Sequence, residues 1–175
     1  MSARPEVLMQ ITITRGERDD LIEMLRKDGS RAETRLPKKG PIPHDAVHFV
    51  IERALGFRNA FWGAVAGGRH PEEIAAIAAA AGHPSAKRAR EPDPAIVEMI
   101  QAERLVECFE AEIWGGPGDL ETLQSVSDAA MAYSKVPAVM ISEDQLQRVR
   151  AGLEKLKKDW AATKTGETIS FDWPE

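Results

Sequence analysis

The sequence predicts an α+β fold, in which a small antiparallel sheet (an N-terminal meander plus a C-terminal strand) packs on a multi-helix body. Three observations lead there. Apolar residues alternate with period two near both ends of the chain, at Met9, Ile11 and Ile13 and again at Ile169, Phe171 and Trp173. Between them the apolar spacing lengthens to three and four, most regularly at Leu146, Val149, Leu153, Leu156 and Trp160. An Asp-Gly pair at Asp28-Gly29 separates two strand-like runs, as hairpin turns do. The 175 residues suit one domain, 1–175, with a strand meander in 1–40, a helical body in 43–164 and a closing strand in 167–174.

The first strand follows from Met9, Ile11 and Ile13 alternating with Gln10, Thr12 and Thr14, which gives one buried face. Leu21 to Arg26 and Arg31 to Leu36 flank Lys27-Asp28-Gly29-Ser30, whose central residues take positive φ cheaply. The three runs read as an antiparallel meander, although Asp19 to Lys27 also has the length of a short helix. Pro37, Gly40, Pro41 and Pro43 then break regular structure. Pro43 suits a helix start, where a missing N–H costs nothing. A helix is expected from about His44 to Leu55, with Gly56 as its left-handed cap.

Asn59 is expected to cap a short helix through Phe61, Trp62 and Val65, ending at Gly67-Gly68. Gly63 and Gly67, four apart, invite close approach of another backbone. His70-Pro71-Glu72-Glu73 opens an alanine-rich helix to Ala81, its two carboxylates complementing the N-terminal dipole. From Pro94 to Trp114, Met99, Ala102, Val106, Phe109 and Ile113 recur every three or four residues until Gly115-Gly116-Pro117-Gly118 stops the helix. Asp119 caps a segment to about Lys135, and Ser142-Glu143-Asp144 opens the last helix. Its Leu146–Trp160 stripe faces the core or a second copy of the chain. Thr168 to Trp173 is the final strand, closed by Pro174. A strand this short has no stability alone, so it is expected to rejoin the N-terminal sheet.

Composition excludes several classes. The charge is split: residues 1–90 carry 15 Lys+Arg against 11 Asp+Glu, and the rest carry 8 against 17. Solvated helix faces or mutual attraction of two parts of one fold account for such a split. The basic cluster Lys87-Arg88-Ala89-Arg90 sits among Pro84, Pro92 and Pro94, in a loop context. With a pI near 5.5 and a single tyrosine, the chain lacks a nucleic-acid footprint, and no nucleic-acid partner is expected. No apolar run approaches the roughly 20 residues of a membrane span, and the opening MSARPEVLMQ has no secretory h-region. One cysteine, Cys108, rules out an internal disulfide framework and a multi-cysteine zinc site. A soluble, cytoplasmic protein is expected.

One constellation carries chemistry. On a helix, His44, His48 and Glu52 stand four apart on one stripe, and two imidazoles with a carboxylate form a ligand set for zinc or another divalent metal. Asp45 adjoins the first histidine as a base or supporting carboxylate. The run is similar to the zincin HExxH pattern, with Asp45, one methylene shorter, in the place of the glutamate base. The bland account is that both histidines bond to carbonyls of the proline-rich loop while Asp45 serves the helix dipole. His70 or His83 are further ligand candidates from the following loops. Glu103, Glu107 and Glu110 lie near one another on a later helix, but no Glu-x-x-His accompanies them, and a solvated acidic face is the better account. Cys108, beside Phe109, reads as an inert buried thiol, and the four tryptophans as core or interface anchors. No nucleophile elbow, P-loop or dinucleotide fingerprint is present.

From Ile11 to Gly68, the hairpin with its Asp-Gly turn followed by Pro43-His44-Asp45-x-x-His48-x-x-x-Glu52 resembles a family of small uncharacterised bacterial proteins. That family has no established activity, so the resemblance implies a bacterial protein and names no reaction. Two functional expectations stand. The first is a non-catalytic interaction or structural protein, forming a homodimer through the Leu146–Trp160 stripe or through attraction between its basic and acidic halves. The alternative is a divalent-metal-binding protein or metal-dependent hydrolase centred on His44 and His48.

Overall fold

The computed structural model describes residues 6–38, 40–82 and 92–174. Strands β1 (Val7–Thr14), β2 (Asp19–Arg26) and β3 (Arg31–Pro37) form the antiparallel meander, and β4 (Thr168–Pro174) returns to pair with β1. The sheet order is therefore β3-β2-β1-β4, with β1 interior and β4 added along its outer side as an edge strand. Met9, Ile11 and Ile13 point inward beside Ile22 and Met24, and register places Ile11 opposite Phe171 and Ile13 opposite Ile169. Asp19–Arg26 is strand rather than helix, with Lys27 already in the turn, because its inward alternation at Asp20, Ile22, Met24 and Arg26 matches period two.

The β2–β3 turn differs from the expected pair of positive-φ residues. Only Gly29 is left-handed, at φ 84°, while the Arg26 N–H donates to the Ser30 carbonyl and the Asp28 carboxylate accepts the Ser30 N–H. This is the longer hairpin loop with one αL glycine, not a two-residue turn.

The helices are α1 (His44–Leu55), α2 (Phe61–Ala66), α3 (Pro71–Gly82), α4 (Val97–Gly115, preceded by a 3₁₀ turn at Pro94–Ile96), α5 (Leu120–Tyr133) and α6 (Glu143–Ala162). Pro43 occupies the N-cap of α1 and Gly56, at φ 77°, its C-cap. Asp119 caps α5, and Ser142 with Gln145 forms a reciprocal capping box on α6. Helix α1 is central: it packs against α2, α4 and α6, and its Phe49 ring meets Phe171 at 4.8 Å and Trp173 at 5.8 Å between centroids. Its approach to α6 is close at Gly152, where a Cβ would lie 2.6 Å from Val50 Cγ1.

One open alternative is decided and two expectations change. The Leu146–Trp160 stripe is wholly buried within this chain, so it faces the core and is not available to a second copy. Asn59 does not cap α2. Glu52 instead accepts the Trp62 N–H at 2.9 Å, and Glu98 accepts the N–H groups of Arg58 and Asn59. The close backbone approach belongs to Gly63 rather than Gly67: a Cβ there would sit 2.0 Å from the Arg58 carbonyl oxygen of the chain's own preceding turn. Among the tryptophans, Trp62, Trp160 and Trp173 are core and Trp114 is exposed. No helix among the described residues is long and apolar enough to cross a membrane. His83 and the Lys87–Arg90 cluster lie outside the described residues.

Candidate metal centre

The period of α1 places His44, His48 and Glu52 on one stripe, and burial deepens along it. Glu52, at the inner end, is 0% exposed. One of its oxygens lies 3.0 Å from His48 Nδ1 and the other accepts the Trp62 N–H at the start of α2. With that hydrogen bond donated by Nδ1, His48 directs Nε2 outward. There it meets Glu103 of α4, whose Oε2 is 3.0 Å away.

His44 repeats the pattern one turn earlier. Its Nδ1 is 2.9 Å from Oε1 of Glu110, and its Nε2 is 3.8 Å from Glu103 Oε2. Glu103 and Glu110 stand seven residues apart on α4, two turns along one face, so a single helix supplies both. The two rings lie edge to face with centroids 4.9 Å apart. One ligand atom from each of His44, His48 and Glu103 falls within 4.8 Å of the other two. Zinc bonds of about 2.0–2.2 Å in tetrahedral geometry separate ligand atoms by roughly 3.3 Å, so a small contraction accommodates an ion. Each imidazole also has a carboxylate behind its far nitrogen, the arrangement that fixes the tautomer of metal-bound histidines.

Without metal, the cluster is an ion-pair network. Burial opposes a charge on His48, but hydrogen bonds to Glu103 and Glu52 outweigh it and push its pKa up to about 10. The Glu103 contact also raises His44, against the cost of its burial. Glu103 is held well below the usual carboxylate range by the two histidines. Burial pushes the Glu52 carboxyl up, opposed by His48. Around neutral pH His48 is therefore an imidazolium clamped between carboxylates.

Of the residues singled out in the sequence, His44 and His48 meet in the cluster. Glu52 stands behind His48, its two oxygens engaged by ring and backbone. Asp45 is not part of the cluster; it lines a cavity together with His44, and its carbonyl accepts the Trp62 indole N–H at 2.8 Å. His70 is remote from the cluster: its Nδ1 accepts the Glu72 N–H at the start of α3. The acidic face of α4 is solvated only in part. Glu107 turns outward to Arg104 at 2.6 Å, whereas Glu103 and Glu110 turn to the histidines. Their sequence signal was the seven-residue spacing beside the buried Ala102, Val106 and Phe109 positions. Cys108 is buried, and that burial raises its thiol.

Comparison with protein-family models, curated proteins and solved structures gives no match, so the chemistry of this chain is read from its own residues: a cluster of two imidazoles and one carboxylate, each imidazole backed by a further carboxylate.

Proposed function

We propose that this protein binds a divalent metal, zinc foremost, through His44, His48 and Glu103. The convergence of one ligand atom from each within 4.8 Å is the observation that carries the reading. The histidine–histidine–carboxylate donor set matches zinc and also suits iron or manganese. The side formed by His44 and Glu103 is part-exposed, leaving room for water as a further ligand, and zinc lowers the pKa of such a water to about 7. Hydrolysis is the chemistry such a centre would support.

Elemental analysis of protein purified without a histidine tag or chelator is expected to find near-stoichiometric zinc, manganese, iron or nickel. A folded His44→Ala, His48→Ala double variant is expected to lose it, and Glu103→Ala to weaken it. Glu52→Gln is expected to lower metal affinity by about 10–100-fold, because it disturbs the group that orients His48. Protons compete with the metal for both rings, so apparent affinity should rise with pH from about 6.5 towards the His48 value near 10. Metal-free protein that also fails to take up added zinc would sink the reading.

A second reading is self-association as a homodimer, for which the most exposed large apolar side chains among the described residues, Trp114, Tyr133 and Met140, are the surface a second copy would cover. It predicts a concentration-dependent mass in solution across the micromolar range. A strictly monomeric species would remove it.

A further inference from the structure

Beside His44, where the proline-rich loop meets α1, lies a cavity of about 150 Å³. Its walls are apolar at Leu36, Pro41, Ile42 and Trp160, yet they also hold charges of both signs, Arg15 and Lys38 against Asp20 and Asp45. Arg15 is anchored by one nitrogen: Nη1 donates to the carbonyls of Trp160 at 3.0 Å and Thr163 at 2.6 Å, and the guanidinium carbon lies 5.3 Å from the Trp160 ring centre. Its Nε and Nη2 have no hydrogen-bond partner among the described residues. Asp20 is 5% exposed. Its Oδ1 accepts the Gly16 N–H at 3.1 Å and stands 3.9 Å from Lys38 Nζ, while Oδ2 has no partner among the described residues.

Arg15 and Asp20 thus line one small cavity without pairing with each other. Two opposite charges taken from bulk water and left with partial satisfaction are costly. A ligand carrying both complementary charges relieves both. A simple anion would leave Asp20 with only the long Lys38 contact at 3.9 Å, and a simple cation would leave the open edge of Arg15 unanswered. We propose that this cavity binds a small zwitterion, an ammonium and a carboxylate joined by a short carbon chain. The carboxylate takes the free edge of the Arg15 fork, the geometry in which guanidinium binds carboxylate best. The ammonium donates to Asp20 Oδ2, and the methylenes lie against Ile42 and Trp160. This cavity shares His44 with the proposed metal centre but needs no metal, so the two readings stand or fall separately.

Calorimetric titration of the full chain, once stripped of metal and once with added zinc, tests this. The probes are glycine, β-alanine and 4-aminobutanoate, set against propanoate and propylamine. At least one zwitterion is expected to bind the stripped protein about ten-fold or more tightly than either single-charge probe. Asp20→Asn keeps an Oδ1 for the Gly16 N–H and removes only the charge; it is expected to weaken that zwitterion by about ten-fold or more. Should its melting show that it does not fold, Arg15→Lys, which keeps the charge and loses the fork, is expected to weaken the same zwitterion. Equal affinity for propanoate, undiminished binding by the folded variant, or no zwitterion binding at about 10 mM overturns the proposal. Zwitterion binding without zinc uptake would overturn the metal reading alone, and zinc uptake without zwitterion binding the cavity reading alone.

Discussion

A Glu52→Ala variant, freed of metal, is expected to lose about 3–5 kcal/mol of folding stability, the usual cost of removing one partner from a buried charged pair. Glu52 is fully buried and joins three elements: it sits on α1, accepts from His48 one turn back, and accepts the Trp62 N–H that opens α2. Alanine removes both acceptors at once. The Trp62 N–H then has no cap, and the buried His48 keeps a charge that only Glu103 answers. For a chain of this size the loss corresponds to a fall of roughly 6–20 °C in melting temperature. Glu52→Gln retains the volume and one carbonyl acceptor, so its loss should be smaller. Thermal and urea unfolding check both. An alanine variant within about 0.5 kcal/mol of the parent would mean that the carboxylate is dispensable, because surface-like substitutions have that effect.

Glu52 also illustrates what a sequence makes legible. Local periodicity is enough to place His44, His48 and Glu52 on one stripe, because a helix fixes the relation of residues four apart. Periodicity cannot say which end of that stripe is buried. Depth comes from α2, whose Trp62 N–H donates to Glu52, and this turns Glu52 from a candidate ligand into the carboxylate behind His48. Nor can it say which helix crosses the open end. Glu103 and Glu110 lie 55 and 66 residues from their histidine partners, and only the packing of α1 on α4 brings them together. The elements fared better than the contacts for the same reason. Asp119, Ser142, Gly56 and the stripes of α4 and α6 act within a turn or two of themselves, so their residues carry the signal. The cap of α2 comes from Glu52 and the preceding N–H groups are held by Glu98, both acting at a distance, and Asn59 was the nearest local substitute. The closing strand was legible because three large apolar residues at period two must find a sheet, and only the N-terminal meander offered one.

That closure sets the second large effect. Ending the chain at Gly166 is expected to abolish cooperative folding. The deletion removes Trp173, which is almost wholly buried, with the part-buried Phe171 and Ile169. Fully burying a large apolar side chain contributes about 1.5–3 kcal/mol, so one fully buried and two part-buried side chains reach the lower part of the 5–15 kcal/mol that holds a typical domain together. The loss goes beyond side chains. Strand β1 pairs with β4 from Val7 to Thr14, and without that partner its backbone becomes a bare edge beside Met9, Ile11 and Ile13, which invites aggregation. The histidine–carboxylate cluster would go as well. Phe49, which carries the contact from α1 to Phe171 and Trp173, is one residue from His48, so a displaced α1 no longer presents its histidines to Glu103. A milder variant separates these effects: Trp173→Ala is expected to stay folded at reduced temperature, losing about 3–5 kcal/mol. Calorimetric melting and solubility of the two chains give the comparison. If the chain ending at Gly166 melts in one transition at the parent's temperature, β4 is an ornament on the sheet, and the burial of Trp173 does not hold the two ends of the protein together.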